Sequence, residues 1–282
     1  MNILAYLERI GVDGQPPPDR DSLDALMRAH VRTIPFENLD VQLGRRLTTA
    51  PEDAFEKIVG RGRGGWCYEQ NGLFGWALGE LGFEVVRMAG AVRDDLTNDA
   101  ALNNHLVLAV RCPEDASAWL VDVGFGGSHF GALPLAPHTA EHEPYQLCIE
   151  RLPDERWRFS EKHFDAQSRY DFAAEPADET ALAGKCSALQ TDPDSTFVLN
   201  LVAQRRDPAP PGLGRRTRAG ASGRVRSRRS RDGLPVAAHR RPARGARAGL
   251  AHRLQPSVIC FPRWRTRGRI FAVRYRVDRY MA

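Results

Sequence analysis

The chain has 282 residues, 42% of them apolar and 27% charged. That composition is globular, leaves ample chain to bury a core and excludes wholesale disorder. No run of about 18 apolar residues occurs, so no membrane span is expected. The N-terminus lacks the basic segment, apolar stretch and small-residue cleavage site of a secretory leader, so a cytoplasmic protein is expected.

The net charge of +5 conceals two unlike segments. Residues 1–204 carry 18 basic and 32 acidic side chains, a net of −14, whereas residues 205–282 carry 22 arginines, no lysine and three acids, a net of +19. The five cysteines, Cys67, Cys112, Cys148, Cys186 and Cys260, are odd in number and widely spaced, with no CxxC pair. That pattern excludes a disulfide framework and a cysteine-rich zinc site, and no metal is expected. A reducing compartment follows, in which each thiol is either buried filler or a nucleophile.

In chain order, the first 83 residues read as helical. Ile3, Leu4, Leu7 and Ile10 recur at helical spacing. After Pro16-Pro17-Pro18, a second helix places Leu23, Leu26, Met27 and His30 on one face and is closed by Pro35. Thr49-Ala50-Pro51-Glu52 has the pattern of a capping box, and Ala54, Phe55, Ile58 and Val59 continue that helix. A glycine-rich stretch (Gly60, Gly62, Gly64, Gly65) precedes a helix predicted from Cys67 to Leu81, stopped by Gly82. From Phe83 the period changes. Strands are predicted over Phe83–Val92, His105–Val110 and Trp119–Val123, the last two as a hairpin, with a further antiparallel pair over Tyr145–Glu150 and Arg156–Ser160. Helices followed by strands predict an α+β architecture.

The chemistry concentrates at Arg63-Gly64-Gly65-Trp66-Cys67-Tyr68-Glu69-Gln70-Asn71. A cysteine in the first turn of a helix meets unpaired N–H groups and the positive end of the helix dipole, which favour a thiolate and can hold an oxyanion. A thiolate nucleophile needs a partner that moves protons. His105 opens one strand, and Asp122 is expected inside the next, between Val121 and Val123. A carboxylate there is costly to bury without a partner. Its simplest use is to orient an imidazolium paired with Cys67. A lone buried cysteine, strand-edge histidine or buried aspartate is ordinarily structural; their joint occurrence after a glycine turn points to a thiol triad. The other four cysteines read as filler. Val123-Gly124-Phe125-Gly126-Gly127 is neither a Walker loop nor a Rossmann fingerprint, and its small residues permit close approach of a ligand.

These pieces carry a resemblance. The chain is similar to the arylamine N-acetyltransferases through Ile34-Pro35-Phe36-Glu37-Asn38-Leu39-Asp40, the Arg63–Asn71 block, Asn104-His105-Leu106, Val121–Gly127 and Phe197-Val198-Leu199-Asn200, in the same order and at similar distances, over residues 1 to about 204. The resemblance implies a helical domain (1–83) carrying the nucleophile, an antiparallel β-barrel domain (84–185) carrying His and Asp, and the start of an α/β lid (186–204), around a papain-like core. It implies a Cys67-His105-Asp122 triad and acetyl-CoA as donor. The acceptor is a small arylamine, arylhydrazine or N-hydroxyarylamine. It also places Phe36, Tyr68, Phe125 and Phe197 at the acceptor pocket, and Asn104, Phe125, Gly126 and Gly127 by the coenzyme. The rival enzyme reading is another thiol-triad protein of transglutaminase-like or amide-hydrolysing type.

After Gln204 the character breaks. Arg, Ala, Gly and Pro make up 48 of the last 78 residues, and apolar periodicity nearly vanishes until Val258-Ile259-Cys260-Phe261. Such a segment has too little apolar surface to offset chain ordering and is expected to be poorly ordered. All four residues have GC-rich codons, so a shifted reading frame generates this composition, and on that reading the triad is intact but activity and solubility are low. The alternative is a genuine basic tail that binds nucleic acid in an otherwise impaired family member. Aromatic residues are sparse and late in the tail, and no recognised DNA-binding motif occurs there.

Overall fold

The computed structural model describes residues 1–92, 101–126, 129–142, 145–163 and 166–205, together with the backbone of a strand over 271–276. Helix α1 (Ile3–Ile10) starts where the Asn2 side chain accepts hydrogen bonds from Leu4 and Ala5 N–H, and it stops at Gly11 in the left-handed region. Helix α2 (Arg20–Thr33) is capped by Asp19, whose carboxylate accepts from Ser22 N–H at 2.8 Å. Leu23, Leu26, Met27 and His30 are all buried, as their spacing predicts. His30 is a core histidine: Tyr6 Oη lies 2.8 Å from its Nδ1, and burial lowers its pKa to about 3, which keeps it neutral. A two-residue strand β1 (Phe36–Glu37) and short helix α3 (Leu39–Gln42) follow.

The expected capping box at Thr49 does not form. Helix α4 (Pro51–Phe55) has Ala50 at its N-cap with no side-chain cap. Pro51 supplies the preset φ of the first turn. Thr48, not Thr49, supplies the local hydroxyl: it donates to Asp53 and accepts from Ala50 N–H. The chain then widens into a π-helical turn, Glu56–Gly60, instead of continuing as α-helix. Helix α5 (Cys67–Glu80) is buried on almost every side, as expected of a helix at the centre of a fold.

Strands β2 (Glu84–Val92), β3 (His105–Arg111), β4 (Trp119–Val121), β5 (Leu133–Pro134), β6 (His138–His142), β7 (Tyr145–Arg151), β8 (Trp157–His163) and β9 (Ala166–Phe172) form one antiparallel sheet in the order β5-β4-β3-β2-β9-β8-β7-β6. Its two edge strands are consecutive in sequence, so the sheet curls into a nearly closed barrel, which leaves little edge for foreign pairing. Met88, Val107, Leu147, Ile149, Phe159, Tyr170 and Phe172 fill one core cluster. Helix α6 (Glu179–Thr191) and helix α7 (Thr196–Leu199) lead to strand β10 (Asn200–Arg205), which lies between β1 and strand β11 (Phe271–Arg276) in a small antiparallel sheet. Helices before an antiparallel barrel, then a mixed α/β segment, is the α+β order read from the sequence.

Candidate active site

Cys67 is the first residue of α5, as expected, and its N–H is among those the helix leaves unpaired. The sulfur lies 4.0 Å from the Asn104 carbonyl oxygen and is close enough to the His105 side chain to raise its pKa. His105 opens β3 opposite Gly90 of β2. Asp122 is not inside a strand but is the first residue after β4, because the β3–β4 ladder ends at Leu108 opposite Val121. One step further along that register, Asp122 falls opposite Val107. His105, two residues before Val107, points to the same face. The result is a hydrogen bond of 2.7 Å between His105 Nε2 and Asp122 Oδ2, with both side chains buried. Nδ1 is left as the ring atom for the sulfur.

Asp122 is buried but fully served. Its Oδ1 accepts from Asn71 Nδ2 at 2.8 Å and from Gly124 N–H at 2.9 Å. Burial alone would raise its pKa. The His105 charge and hydrogen bond, then the His129 charge and the Asn71 bond, outweigh burial and hold it down at about 2. For His105, burial acts to lower the pKa, but Asp122 first and Cys67 second push it up to about 10. The pair is therefore carboxylate and imidazolium across a wide pH range.

Asn71 is the residue that sequence reasoning left without a role. It donates to the Leu106 carbonyl at 2.6 Å as well as to Asp122, and it accepts from Val123 N–H at 2.9 Å. One amide thus joins α5, β3 and the end of β4. The available signal was its position four residues after Cys67, which places both on one face of the helix. The loop before His105 is pinned in the same way. Tyr68 Oη donates to the Asn103 carbonyl, Asn103 sits at φ 67°, and the Asn104 amide exchanges two 2.8 Å hydrogen bonds with the backbone of Val92.

Two glycines of the Val123–Gly127 motif have structural reasons. A Cβ at Gly124 would lie 2.8 Å from Cys67 Cα and 3.0 Å from Cys67 O, so only glycine lets this loop lie against the start of α5. Gly126 has φ 73°, and a Cβ there would lie 1.9 Å from Gln204 Nε2. The close approach expected for a ligand is, at Gly124, the approach of the nucleophile helix itself. Gly127 lies outside the described residues.

The expected pocket aromatics divide into two groups. Phe36, Tyr68 and Phe197 gather around Trp66, with ring centroids 5.3 Å (Trp66–Tyr68), 5.2 Å (Trp66–Phe197) and 6.5 Å (Phe36–Phe197) apart. Phe125 stands on the barrel side, 5.5 Å from the His105 ring and 4.9 Å from Tyr170. Tyr68 is fully buried, whereas Phe36 and Phe197 are half-buried. A cleft bounded by Phe36, Gln70, Asp122, Val123, Gly126 and Gln204 runs beside the triad carboxylate, and Cys67 is not among its walls. The Asn104 side chain holds the end of β2 through its two bonds to Val92. Among the described residues, no group of three or more His, Cys, Asp or Glu side chains is placed to hold a metal ion, and no helix is long and apolar enough to cross a membrane.

Fold and site together define a class: an α+β protein in which a helix-start thiol meets a strand-borne imidazole and carboxylate, the arrangement that thiol-nucleophile chemistry uses. The sequence signature of the family described as N-acetyltransferase matches residues 19–211. The arylamine N-acetyltransferase of Mycolicibacterium smegmatis is 42% identical over 209 residues, covering 72% of this chain and 75% of that one. Its counterpart in Mycobacterium tuberculosis is 35% identical over 221 residues, covering 72% and 74%. Among solved structures, the M. smegmatis arylamine N-acetyltransferase aligns with a TM-score of 0.68 at 38% identity over 74% of this chain and 78% of that one. The Mycobacterium marinum enzyme in complex with CoA aligns with a TM-score of 0.68 at 32% identity over 73% and 78%. This chain belongs to the arylamine N-acetyltransferase family, a family of acyltransferases.

Proposed function

We propose that the protein transfers acetyl from acetyl-CoA to the nitrogen of an arylamine, arylhydrazine or N-hydroxyarylamine through an acetyl-cysteine intermediate on Cys67. The observation that carries this reading is the Cys67–His105–Asp122 grouping, with Asp122 bonded to His105 at 2.7 Å and Cys67, at the start of α5, beside His105 and helping to raise its pKa. A relative of 32% identity is solved in complex with CoA, which supports the donor. The Cys67 thiolate attacks the acetyl carbonyl. The tetrahedral intermediate collapses, its bond to the CoA sulfur breaks, and His105 returns a proton to the leaving thiolate. An aromatic amine then attacks the acetyl-cysteine carbonyl while His105 takes its proton, and Cys67 leaves as thiolate. Kinetics are therefore ping-pong. The rings of Phe36, Phe125 and Phe197 supply apolar walls for a flat acceptor and limit hydrolysis by water. Asp122 stays ionised and holds the ring by its Nε2. Intact-mass spectrometry after incubation with acetyl-CoA tests the reading. One acetyl group on the parent chain and none on Cys67→Ala is the expected result; an unmodified parent overturns it.

The reading of residues 205–282 as the product of a shifted frame is part of this proposal. The family signature ends at residue 211, close to where the charge changes sign. Resequencing the gene around codon 204 tests it; an intact frame with the same residues in close relatives rules it out.

A further inference from the structure

Beneath the nucleophile helix lies a buried ionic cluster that the triad chemistry does not use. Lys57, from the π-helical turn, is 1% exposed, and its ammonium meets three carboxylates: Glu69 of α5 at 2.8 Å, Asp40 of α3 at 3.3 Å and Glu37 of β1 at 3.9 Å. Arg63 adds a second cation, 2.8 Å from Glu37 and 3.4 Å from Asp40. Glu69 stands apart from the other two acids. Arg63 reaches Glu37 and Asp40 but makes no ion pair to Glu69, and Glu69 Oε2 also accepts from the backbone N–H of Trp66 at 3.2 Å. Trp66 is the N-cap of α5 and the residue before Cys67. Glu69 is at the third helical position, so this is half a capping box; the other half is missing because an indole side chain cannot accept.

We propose that Glu69 is a positioning residue for the nucleophile: its carboxylate ties the Trp66 N–H, and with it the Cys67 backbone, to the buried Lys57 ammonium, and its charge offsets Lys57 where the thiolate must form. The inference rests on Cys67 being the nucleophile. The groups that face Glu69 are Lys57, Glu37 and Cys186, with the Trp66 amide. Those that face the sulfur are His105, Tyr68 and Cys186. Burial pushes the Glu69 carboxyl up to about 7, and Lys57 and the Trp66 N–H pull against that rise. Where Glu69 is ionised its charge works against a thiolate, while the geometry it holds works for one. Substituting the charge and the geometry separately distinguishes the two.

Glu69→Gln keeps an oxygen for the Trp66 N–H and removes the charge. Glu69→Ala removes both. The experiment follows iodoacetamide alkylation of Cys67 by peptide mass mapping from pH 5 to 9, beside thermal denaturation and acetyl-enzyme formation. For Glu69→Gln the pH–rate profile should move to lower pH by about 0.5 unit or more, because one anion has left the neighbourhood of the thiolate. For Glu69→Ala the rate should fall about tenfold across the range, as loss of alignment would produce. Profiles that superimpose on the parent for both variants, with only a lowered melting temperature, overturn the proposal. If Glu69→Ala does not fold, the Glu69→Gln profile decides alone. A shifted alkylation profile in a chain that never acquires acetyl supports the positioning role and overturns the acetyl-transfer reading instead, because alkylation needs no acetyl-CoA.

Discussion

Two buried ionic groups flank the start of α5, and they are built differently. On one side, Lys57 and Arg63 balance Glu37, Asp40 and Glu69 through fixed charges. Asp40 is representative: burial acts to raise its pKa, yet Lys57 and Arg63 hold it below the ordinary carboxylate value. On the other side, Asp122 faces a histidine, whose charge can be given up and regained. The first group shares its anions among Lys57, Arg63 and Arg45 and ties β1, α3 and the π-helical turn to α5. The second is a line of three side chains whose only outlet is a sulfur. The difference teaches that burial by itself does not mark a catalytic group. What marks it is a titratable partner and a free reactive end.

Substitution can break this comparison at either group. The largest effect is expected for Asp122→Asn. The amide still fits among Asn71, Gly124 and His105, but it no longer stabilises an imidazolium, so acetyl-enzyme formation should fall by about 10³–10⁴-fold in stopped-flow CoA release while the fold survives. Lys57→Met should act on stability instead. It leaves Glu37 and Asp40 to Arg63 and Arg45 and leaves Glu69 with no cation, at a cost of about 3–5 kcal/mol in urea denaturation, and Glu69→Gln in the same chain should restore part of that loss. Asn71→Ala removes a partner from the Leu106 carbonyl and the Val123 N–H and leaves Asp122 Oδ1 with the Gly124 N–H; about 2–3 kcal/mol of stability and at least about tenfold in rate should go together.

The pH dependence sharpens the contrast. Asp122 is depressed in the fold, so its stabilisation is present above its ordinary value near 3.8 and is lost as pH falls toward about 2. His105 is raised, so its stabilisation is complete below its ordinary value near 6.5 and is lost as pH climbs to about 10. Melting temperature should therefore decline from pH 6.5 to 10, and His105→Gln should flatten that decline. The smallest effect is expected at Cys186. Burial pushes its thiol up to about 12, so at pH 8 it should alkylate after Cys67, and Cys186→Ser should leave the acetylation rate within about twofold.

Much of the site was legible because its signals are local. The start of α5 at Cys67 follows from a glycine turn before a helical pattern, and the β3–β4 hairpin follows from two apolar stretches close together in sequence. The two differences have different causes. At α4 the local bonds of Thr48 leave Ala50 at the N-cap in place of Thr49, whereas Asp122 lies outside β4 because the ladder to β3, distant in sequence, ends at Val121. The role of Asn71 carries no local sequence signal for the second of these reasons: its three partners come from β3 and from the two residues after β4, far away in sequence.

The sequence by itself determined the order of helices and strands and the charge break after Gln204, and it singled out Cys67, His105 and Asp122 as the residues to look for together. All of these are carried by composition and by spacing along the chain. Only the tertiary structure decided that Asp122 could be buried as an anion, that Asn71 would hold it, and that Lys57 would lie at 1% exposure among three acids. The physical reason is that the cost of burying charge depends on which groups stand within about 4 Å in space, and separation along the chain does not set that distance.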